Sequence, residues 1–177
     1  QIKKRSATRI GIPRVQLMYS LSPLFRTYFE SLGIRKGNIY FSDFTDDQLY
    51  KEGSKRGAID PCFPSKLYLA HVHNLLYLKH KKRALDFIFS PMICDLKSDL
   101  VNTKGCWICP SVTATPEAVK AAFTKEENVF ENLDVRFVNT FLNLSDPLLF
   151  ERQMFLQFED ILEISEEENK LAIEAGY

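Results

Sequence analysis

The stretch that decides the fold is TRIGIPRVQLMYSLSPLFRTYFESLGI, from Thr8 to Ile34. Its first part, residues 8–12, predicts a short buried strand that ends in an irregular turn. Ser22 and Pro23 then have the pattern of a helix start, with serine as the N-cap and proline at the first helical position. The apolar side chains at i, i+3, i+4 and i+7 are Phe25, Tyr28, Phe29 and Leu32. A strand followed at once by an amphipathic helix is the repeating unit of an α/β fold.

The same alternation continues along the chain. Further strands are predicted at residues 38–42, 86–90 and 135–139. Further helices are predicted to open at a capping box of Thr45 with Gln48, at Pro64, at Thr115–Pro116, at Asp146–Pro147 and at a capping box of Ser165 with Glu168. We therefore expect an open, mostly parallel sheet of about four strands with helices on both faces, in flavodoxin- or Rossmann-like layering. Residues 1–177 are expected to form a single domain cut from a larger protein.

Composition limits the function classes. Lys plus Arg and Asp plus Glu both total 23, so no strong electric field favours nucleic acid or an anionic membrane. No apolar run approaches the roughly 18 residues of a membrane-spanning helix, and no signal-peptide pattern opens the chain. A cytoplasmic location is expected. The four cysteines are then expected to serve packing, metal or cluster binding, or redox chemistry rather than a disulfide framework.

Several common nucleotide and hydrolase motifs are missing from the sequence. The seven glycines form neither G-x-G-x-x-G nor G-x-x-x-x-G-K-[ST], which argues against a dinucleotide site of the usual kind and against a P-loop. No G-x-S-x-G elbow is present, which argues against an α/β-hydrolase. Ligands in open parallel sheets gather at the carboxyl ends of the strands, where the predicted strands leave Pro13–Arg14, Ser42–Asp43 and Ser90–Pro91. The long connection at residues 93–111 has no firm pattern and is a candidate functional segment.

Cys62 lies in IDPCFPSKLYLAHVHNLL, residues 59–76, two positions before Pro64 and at the predicted start of a helix. Unpaired N–H groups and the positive end of the helix dipole favour a thiolate at such a position. A thiolate ligates iron or zinc or attacks an electrophile. The alternative is a small apolar side chain that covers a helix end. The sequence spacing alone leaves both readings open.

Cys106 and Cys109 form a C-x-x-C pair, which suits one metal ion or a redox dithiol. A closed zinc site needs two more ligands, and neither a second C-x-x-C nor an H-x₃-H is available. A thioredoxin-type dithiol is disfavoured because the next helix is predicted to wait until Pro116. Cys94, after the third strand, is interpreted either as a packing residue or as an outer participant in the cluster of cysteines.

Three basic or imidazole side chains on the helix after Cys62 are candidate supporting groups. His71 and His73 point to different faces, so at most one should approach Cys62. Lys66 lies one turn from Cys62 and either holds an anion there or solvates the helix. The basic run at residues 79–83 lies at a helix C-terminus, where the dipole alone explains it.

Four stretches together resemble a known family: RIGIPRVQLMYSLSPLFRTYFESLGI from Arg9, IDPCFPSKLYLAHVHNLL from Ile59, DFIFSPMI from Asp86 and CPSVTATPEAVKAAF from Cys109. They resemble the acyl-CoA dehydratase activase-related proteins, large bacterial proteins associated with the activator of 2-hydroxyglutaryl-CoA dehydratase. In that family, ATPase modules of the actin and sugar-kinase type precede a region like this one. The resemblance covers nearly the whole chain.

The resemblance implies a domain akin to the cluster-bearing subunits of 2-hydroxyacyl-CoA dehydratases and benzoyl-CoA reductases, where cysteines hold an iron–sulfur cluster that delivers an electron to an acyl-CoA. The family's C-F-P-x-K motif falls on Cys62, Pro64 and Lys66, and its C-P-x-V motif on Cys109 and Pro110. Two cysteines do not complete the four thiolates that a cubane cluster usually has. The remaining ligands would come from Cys106, from a part of the protein outside this sequence, from a substrate or from a partner.

The leading hypothesis is therefore an iron–sulfur or electron-transfer domain of an activator-related protein, not catalytic by itself. Cys62 and Cys109, with Cys106 as a further candidate, would be metal ligands, and Lys66 and His73 would support the cofactor. Its expected partners are ATPase modules of the same chain and an acyl-CoA dehydratase-like component. The second hypothesis is a cofactor-free interaction domain that couples those ATPase modules to a dehydratase. A zinc site at the C-x-x-C pair is the third.

Overall fold

A computed structural model of the protein describes residues 2–56, 62–102 and 106–177. Residues 59–61, which open the stretch around Cys62, lie outside the described residues, as do residues 103–105 of the long connection. The described strands and helices confirm the predicted α/β fold with an open, parallel sheet.

The central sheet has four parallel strands. They are β1 (Ile10–Ile12), β2 (Ile39–Phe41), β3 (Phe87–Phe89) and β5 (Arg136–Val138), in the order β2-β1-β3-β5. A second parallel pair is formed by β4 (Met92–Asp95) and β6 (Phe141–Asn143), each of which follows a central strand after a short interruption. The connection from β1 leads to β2 on one side of the sheet, and the connection from β3 leads to β5 on the other side. The carboxyl ends of β1 and β3 therefore flank the position where α/β sheets bind ligands.

Helices cover both faces of the sheet. They are α1 (Ile2–Ala7), α2 (Met18–Ser31), α3 (Asp47–Gly53), α4 (Phe63–Asn74), α5 (His80–Lys82), α6 (Pro110–Thr124), α7 (Val129–Asn132), α8 (Pro147–Leu162) and α9 (Glu166–Gly176). A π-helical segment, Leu75–Lys79, joins α4 to α5. The helix predicted from Pro64 to about Lys81 is thereby confirmed as one continuous helical stretch. None of the described helices combines the length and the apolar character needed to cross a bilayer.

Two apolar cores form, one on each face. On one face α2, α8 and α9 pack against the sheet around Phe25, Phe29 and Phe158, all fully buried. On the other face α4, α6 and α7 pack around Leu75 and Phe123. The starts of α2, α4 and α6 lie towards the carboxyl edge of the central sheet, because α2 follows β1 and because α4 and α6 precede β3 and β5 along the chain.

Two predicted helix starts are wrong in the same way. α2 begins at Met18 and contains Pro23, and α6 begins at Pro110 and contains Pro116. A proline inside a helix removes one hydrogen bond, worth about 1 kcal/mol. In α2, burial of Met18 extends the apolar stripe upstream of Pro23. In α6, Pro116 is itself buried, and Pro110 supplies an earlier helix start of the same kind.

One smaller prediction also differs from the structure. The capping box of Thr45 with Gln48 does not form, because Asp46 is the N-cap of α3 and accepts a hydrogen bond from the Leu49 N–H. β3 ends at Phe89, ahead of Pro91, and β4 follows in a separate sheet, where it pairs with β6. The predicted capping box of Ser165 with Glu168 at the start of α9 is confirmed.

Candidate functional site

Two cysteines begin two helices at the carboxyl edge of the sheet. Cys62 is the N-cap of α4 and Cys109 is the N-cap of α6, and a proline follows each of them in the first helical turn. Cys62 is half-buried and Cys109 is exposed. N-caps are usually Ser, Thr, Asp or Asn, whose oxygen accepts a hydrogen bond from the first turn. Thiols at both positions are therefore unusual choices for helix capping.

The helices α4 and α6 pack against each other close to these caps. The hydroxyl groups of Ser65 in α4 and Thr115 in α6 are buried and 2.9 Å apart. The Gln16 side-chain amide donates to the Thr115 Oγ1 at 3.4 Å and ties in the loop after β1. With 1.5 Å per residue and an ordinary distance between packed helices, the backbones of Cys62 and Cys109 are roughly 10 Å apart. We therefore expect these two candidate ligands to lie near each other on one rim.

Cys106 lies on a different part of this edge. The backbone at residues 106–108 runs antiparallel to β4: the Ile108 N–H donates to the Cys94 carbonyl at 2.9 Å and the Leu96 N–H to the Cys106 carbonyl at 3.2 Å. In an extended segment, residues three apart are separated by roughly 10 Å and point to opposite sides. Cys106 and Cys109 are thus not arranged as a tight C-x-x-C chelate while this pairing lasts.

Asp95, at the end of β4, holds this segment in place. It is buried, and its carboxylate accepts hydrogen bonds from the Cys106 N–H at 3.0 Å and from the Ser145 hydroxyl at 2.9 Å. We expect Asp95→Ala to lower the free energy of unfolding by about 2 kcal/mol, because it leaves the Cys106 N–H without its acceptor, whereas the Ser145 hydroxyl still donates to the Asn143 Oδ1 at 2.7 Å. Urea denaturation measures this loss, and hydrogen exchange at the Cys106 amide should become faster. Asp95→Asn, which keeps one acceptor oxygen, is the matched control and should lose less. Equal losses in the two variants would contradict the role of the carboxylate.

Cys94 behaves as a packing residue. Its side chain is buried, its thiol donates to the Leu142 carbonyl at 3.4 Å, and burial raises its pKa. A thiol with a raised pKa is a poor metal ligand and a poor nucleophile at neutral pH. Of the two roles left open by the sequence, the structure favours packing.

The two supporting residues predicted from the sequence lie at very different distances from Cys62. Lys66 is half-buried and one helical turn away, near enough for its ammonium to act on a charge at Cys62. His73 lies eleven residues after Cys62, which is roughly 16 Å along the axis of α4. Its ring packs against the ring of Tyr77, with centroids 4.5 Å apart. The structure does not bring His73 to Cys62.

A polar network around His71 was not predicted from the sequence. The His71 ring is fully buried, with Nδ1 2.7 Å from the Ser42 Oγ and Nε2 3.0 Å from the Thr45 Oγ1. Ser42 Oγ also accepts a hydrogen bond from the Arg14 backbone N–H at 2.7 Å. The loops after β1 and β2 are thereby fastened to α4. The sequence offered one signal: Ser42 ends the predicted strand 38–42, and Arg14 follows the predicted strand 8–12 after Pro13.

A comparison with protein families supplies the wider context. The family described as "CoA enzyme activase uncharacterised domain (DUF2229)" matches residues 9–177. This chain belongs to that family. No curated protein and no solved structure matches the sequence significantly. Membership confirms the resemblance of the sequence to acyl-CoA dehydratase activase-related proteins.

The side chains at Cys62 and Cys109 of this CoA enzyme activase domain offer thiol sulfurs as donor atoms. Thiolates are the ligands that iron–sulfur clusters and zinc take, so the donor chemistry at Cys62 and Cys109 fits. Within residues 2–56, 62–102 and 106–177, however, no group of three or more His, Cys, Asp or Glu side chains is close enough to hold a metal ion. A complete ligand set is thus not assembled by the described residues.

One cavity of the activase domain lies away from these thiols. It has a volume of about 850 Å³ and is open to solvent at the amino ends of β3 and β5, where Lys4, Asp86 and Arg136 line it. The charges of its lining residues are mixed in sign, and no cysteine lines it. This cavity is therefore separate from the candidate site at the carboxyl edge.

Protonation of His71 should make this activase domain less stable in acid. Burial, together with the nearby charge of Arg14, lowers the pKa of His71 to about 4. The unfolded chain binds a proton below about pH 6.5, so stability is complete above that pH and falls by roughly 3 kcal/mol towards pH 4. Denaturation at several pH values measures the slope, and His71→Gln should flatten it. Burial also lowers the pKa of His73, so His73→Gln is the comparison and should remove a smaller part. An unchanged slope in His71→Gln would contradict the assignment.

Proposed function

We propose that this domain holds an iron–sulfur cluster at its carboxyl rim, together with ligands from outside the described residues, and serves electron transfer in an activator-related protein. The observation that carries the proposal is the pair of N-cap cysteines, Cys62 and Cys109, on two helices that pack against each other through Ser65 and Thr115. In this proposal the two thiolates are ligands, and when bound the cluster supplies a low-potential electron. The parent system is a 2-hydroxyacyl-CoA dehydratase or benzoyl-CoA reductase.

The residues around the two thiols have separate parts in this proposal. Lys66 sets a positive charge one turn from Cys62, which favours a negatively charged thiolate–metal group over a neutral thiol. The buried Ser65–Thr115 hydrogen bond keeps the two helix starts in register. Cys106 becomes a third ligand only if its segment leaves β4, because in the paired state it points away from Cys109.

Because the ligand set is incomplete, the proposal also requires partners that supply the other ligands. A cubane cluster usually takes four thiolates, so other ligands would come from another region of the parent protein or from a dehydratase-like component. ATPase modules of the same chain are the proposed source of the energy that drives the electron transfer. The proposal places the protein in the cytoplasm, where reducing conditions keep cysteines as thiols.

Anaerobic purification with iron and sulfide quantified tests the proposal, and reconstitution of the chain with ferrous iron and sulfide adds a second measurement. Cys62→Ala and Cys109→Ala are each expected to remove most of the iron and sulfide. Cys94→Ala is the matched control, because it removes a thiol that is buried against Leu142, and it should keep the cluster. Iron and sulfide contents that are the same in all of these variants would rule the cluster out.

A cofactor-free interaction domain is the second candidate. The observation in its favour is a set of exposed aromatic rings on loops and helix starts near the same edge. These rings are Phe44, Phe63 and Trp107, which are 70%, 55% and 76% exposed. This function predicts that the purified protein lacks iron and that Trp107→Ala weakens binding to a dehydratase component.

Stoichiometric zinc in elemental analysis would instead favour a zinc site at Cys106 and Cys109.

A further inference from the structure

Arg14 occupies the position at which parallel α/β sheets bind ligands. It follows β1 after the single residue Pro13, and β1 lies between β2 and β3 in the sheet. The connection from β1 leads to β2 on one side, and the connection from β3 leads to β5 on the other. The carboxyl ends of β1 and β3 thus lie at the switch point of the sheet, where parallel α/β sheets bind ligands.

The guanidinium of Arg14 is held between aromatic rings. Its Cζ lies 4.1 Å from the ring centroid of Phe44 and 5.3 Å from that of Phe41. Stacking on ring faces leaves the N–H groups at the edge of the guanidinium plane free to bond outward. Among residues 2–56, 62–102 and 106–177, no acceptor takes a hydrogen bond from this side chain and no carboxylate pairs with it.

The two chain neighbours of Phe44, whose ring stacks on Arg14, are held by hydrogen bonds. Phe44 is 70% exposed, yet both of its neighbours in the chain are fastened. The Asp43 N–H donates to the Asn74 Oδ1 at 3.1 Å, and the Thr45 hydroxyl lies 3.0 Å from the His71 Nε2. These bonds fix the backbone on either side of Phe44, so little backbone entropy is lost here when a ligand binds to the stacked guanidinium.

Among the residues that the structure describes, none forms an ion pair with Arg14. The carboxylate of Asp43 is already bonded to Asn74 and Lys79, and the hydrogen bond from Lys79 lowers its pKa. His71 has a pKa of about 4 and is therefore neutral at pH 7. A half-buried guanidinium whose side-chain donors and charge have no partner within the described part of the chain is suited to an oxyanion.

We propose that Arg14, stacked on Phe44, forms a binding site for the phosphate or carboxylate group of a small ligand at the carboxyl edge of the sheet. The guanidinium edge donates two parallel hydrogen bonds to two oxygens of the anion, and the Phe44 ring holds the guanidinium in the required plane. This site does not depend on the cysteines, so it stands or falls separately from the cluster.

Titration of the whole chain with inorganic phosphate, and separately with acetate, tests the site by amide chemical shifts. Phosphate binding with weaker acetate binding assigns a phosphate-bearing ligand, and the reverse order assigns a carboxylate.

Arg14→Gln keeps the backbone N–H that bonds Ser42 and is expected to weaken binding at least tenfold. Arg35→Gln removes the same charge from an exposed side chain elsewhere and should change binding by less than twofold. Absence of binding by both anions, or equal loss in the two variants, would overturn the proposal.

The ring of His71 gives a second, independent readout. The charge of Arg14 lowers the pKa of His71, so an anion bound at Arg14 should raise that pKa. Arg14→Gln should raise it as well and should remove its dependence on phosphate. Imidazole chemical shifts measured against pH, with and without phosphate, check both effects. A phosphate-dependent His71 titration that survives in Arg14→Gln would place the anion elsewhere and overturn the proposal.

Discussion

Replacing Phe158 with alanine should lower the free energy of unfolding by about 4 kcal/mol. Phe158 is fully buried on α8, and its ring contacts four others, with centroid distances between 5.3 and 6.1 Å. These rings belong to Tyr28, Phe29, Phe87 and Phe89. Removal of the ring leaves a cavity among side chains of α2 and β3, which are fixed by their own packing. Chemical denaturation of the purified variant measures the loss.

The control for this prediction lies on the same helix. Leu156 is 56% exposed, so Leu156→Ala removes an apolar side chain that contributes little to the core. We expect it to change the free energy of unfolding by less than about 0.5 kcal/mol. A loss at Phe158 no greater than the loss at Leu156 would contradict the placement of α8 on the sheet.

Replacing Gly53 with alanine should destabilise the protein by about 3 kcal/mol, although alanine favours helices. Gly53 ends α3 where it contacts α4, and an added Cβ would lie 2.2 Å from the Cα of Ala70. The contact is with backbone, so no side-chain rotation relieves it. The helix α3 must move away from α4, and the loop that carries Thr45 should loosen its bond to His71. Thermal denaturation and the His71 ring shifts check the two effects.

Gly37 is the matched control for Gly53. A Cβ added there meets no atom within 4 Å among the described residues, and its φ is not in the left-handed region. Gly37→Ala should therefore leave stability unchanged or raise it by about 0.5 kcal/mol, because alanine restricts the unfolded chain. Similar losses in both variants would show that α3 and α4 are not packed as closely as described.

The order of strands and helices could be predicted because each depends on local patterns. The apolar stripe of residues 25–32 and the N-cap proline pairs are visible in the sequence, and so are the four central strands. The starts of α2 and α6 could not be predicted, since Pro23 and Pro116 resemble helix starts and only tertiary burial shows that they lie inside helices. The pair of β4 with β6 was missed because it joins segments far apart in the chain.

The candidate site was predictable only in part. The position of Cys62 at a helix start follows from Pro64, and the structure confirms it. The position of Cys109 at a helix start was missed, because the prediction delayed α6 to Pro116. The sequence favoured His73 over His71, whereas the buried polar network forms around His71, because sequence spacing gives the face of a helix but not which loops lie against it. Ser42 and Thr45 reach His71 only through the folded β2–α3 connection.

The central claim is that Cys62 and Cys109 lie side by side on one rim, and cross-linking tests it most directly. In a variant that carries Cys94→Ala and Cys106→Ala, these are the two remaining thiols. A short bismaleimide should join them within one chain, since their backbones are roughly 10 Å apart. Peptide mass spectrometry should then find residues 62 and 109 in one cross-linked product. Two singly modified cysteines without an intramolecular link would contradict the account.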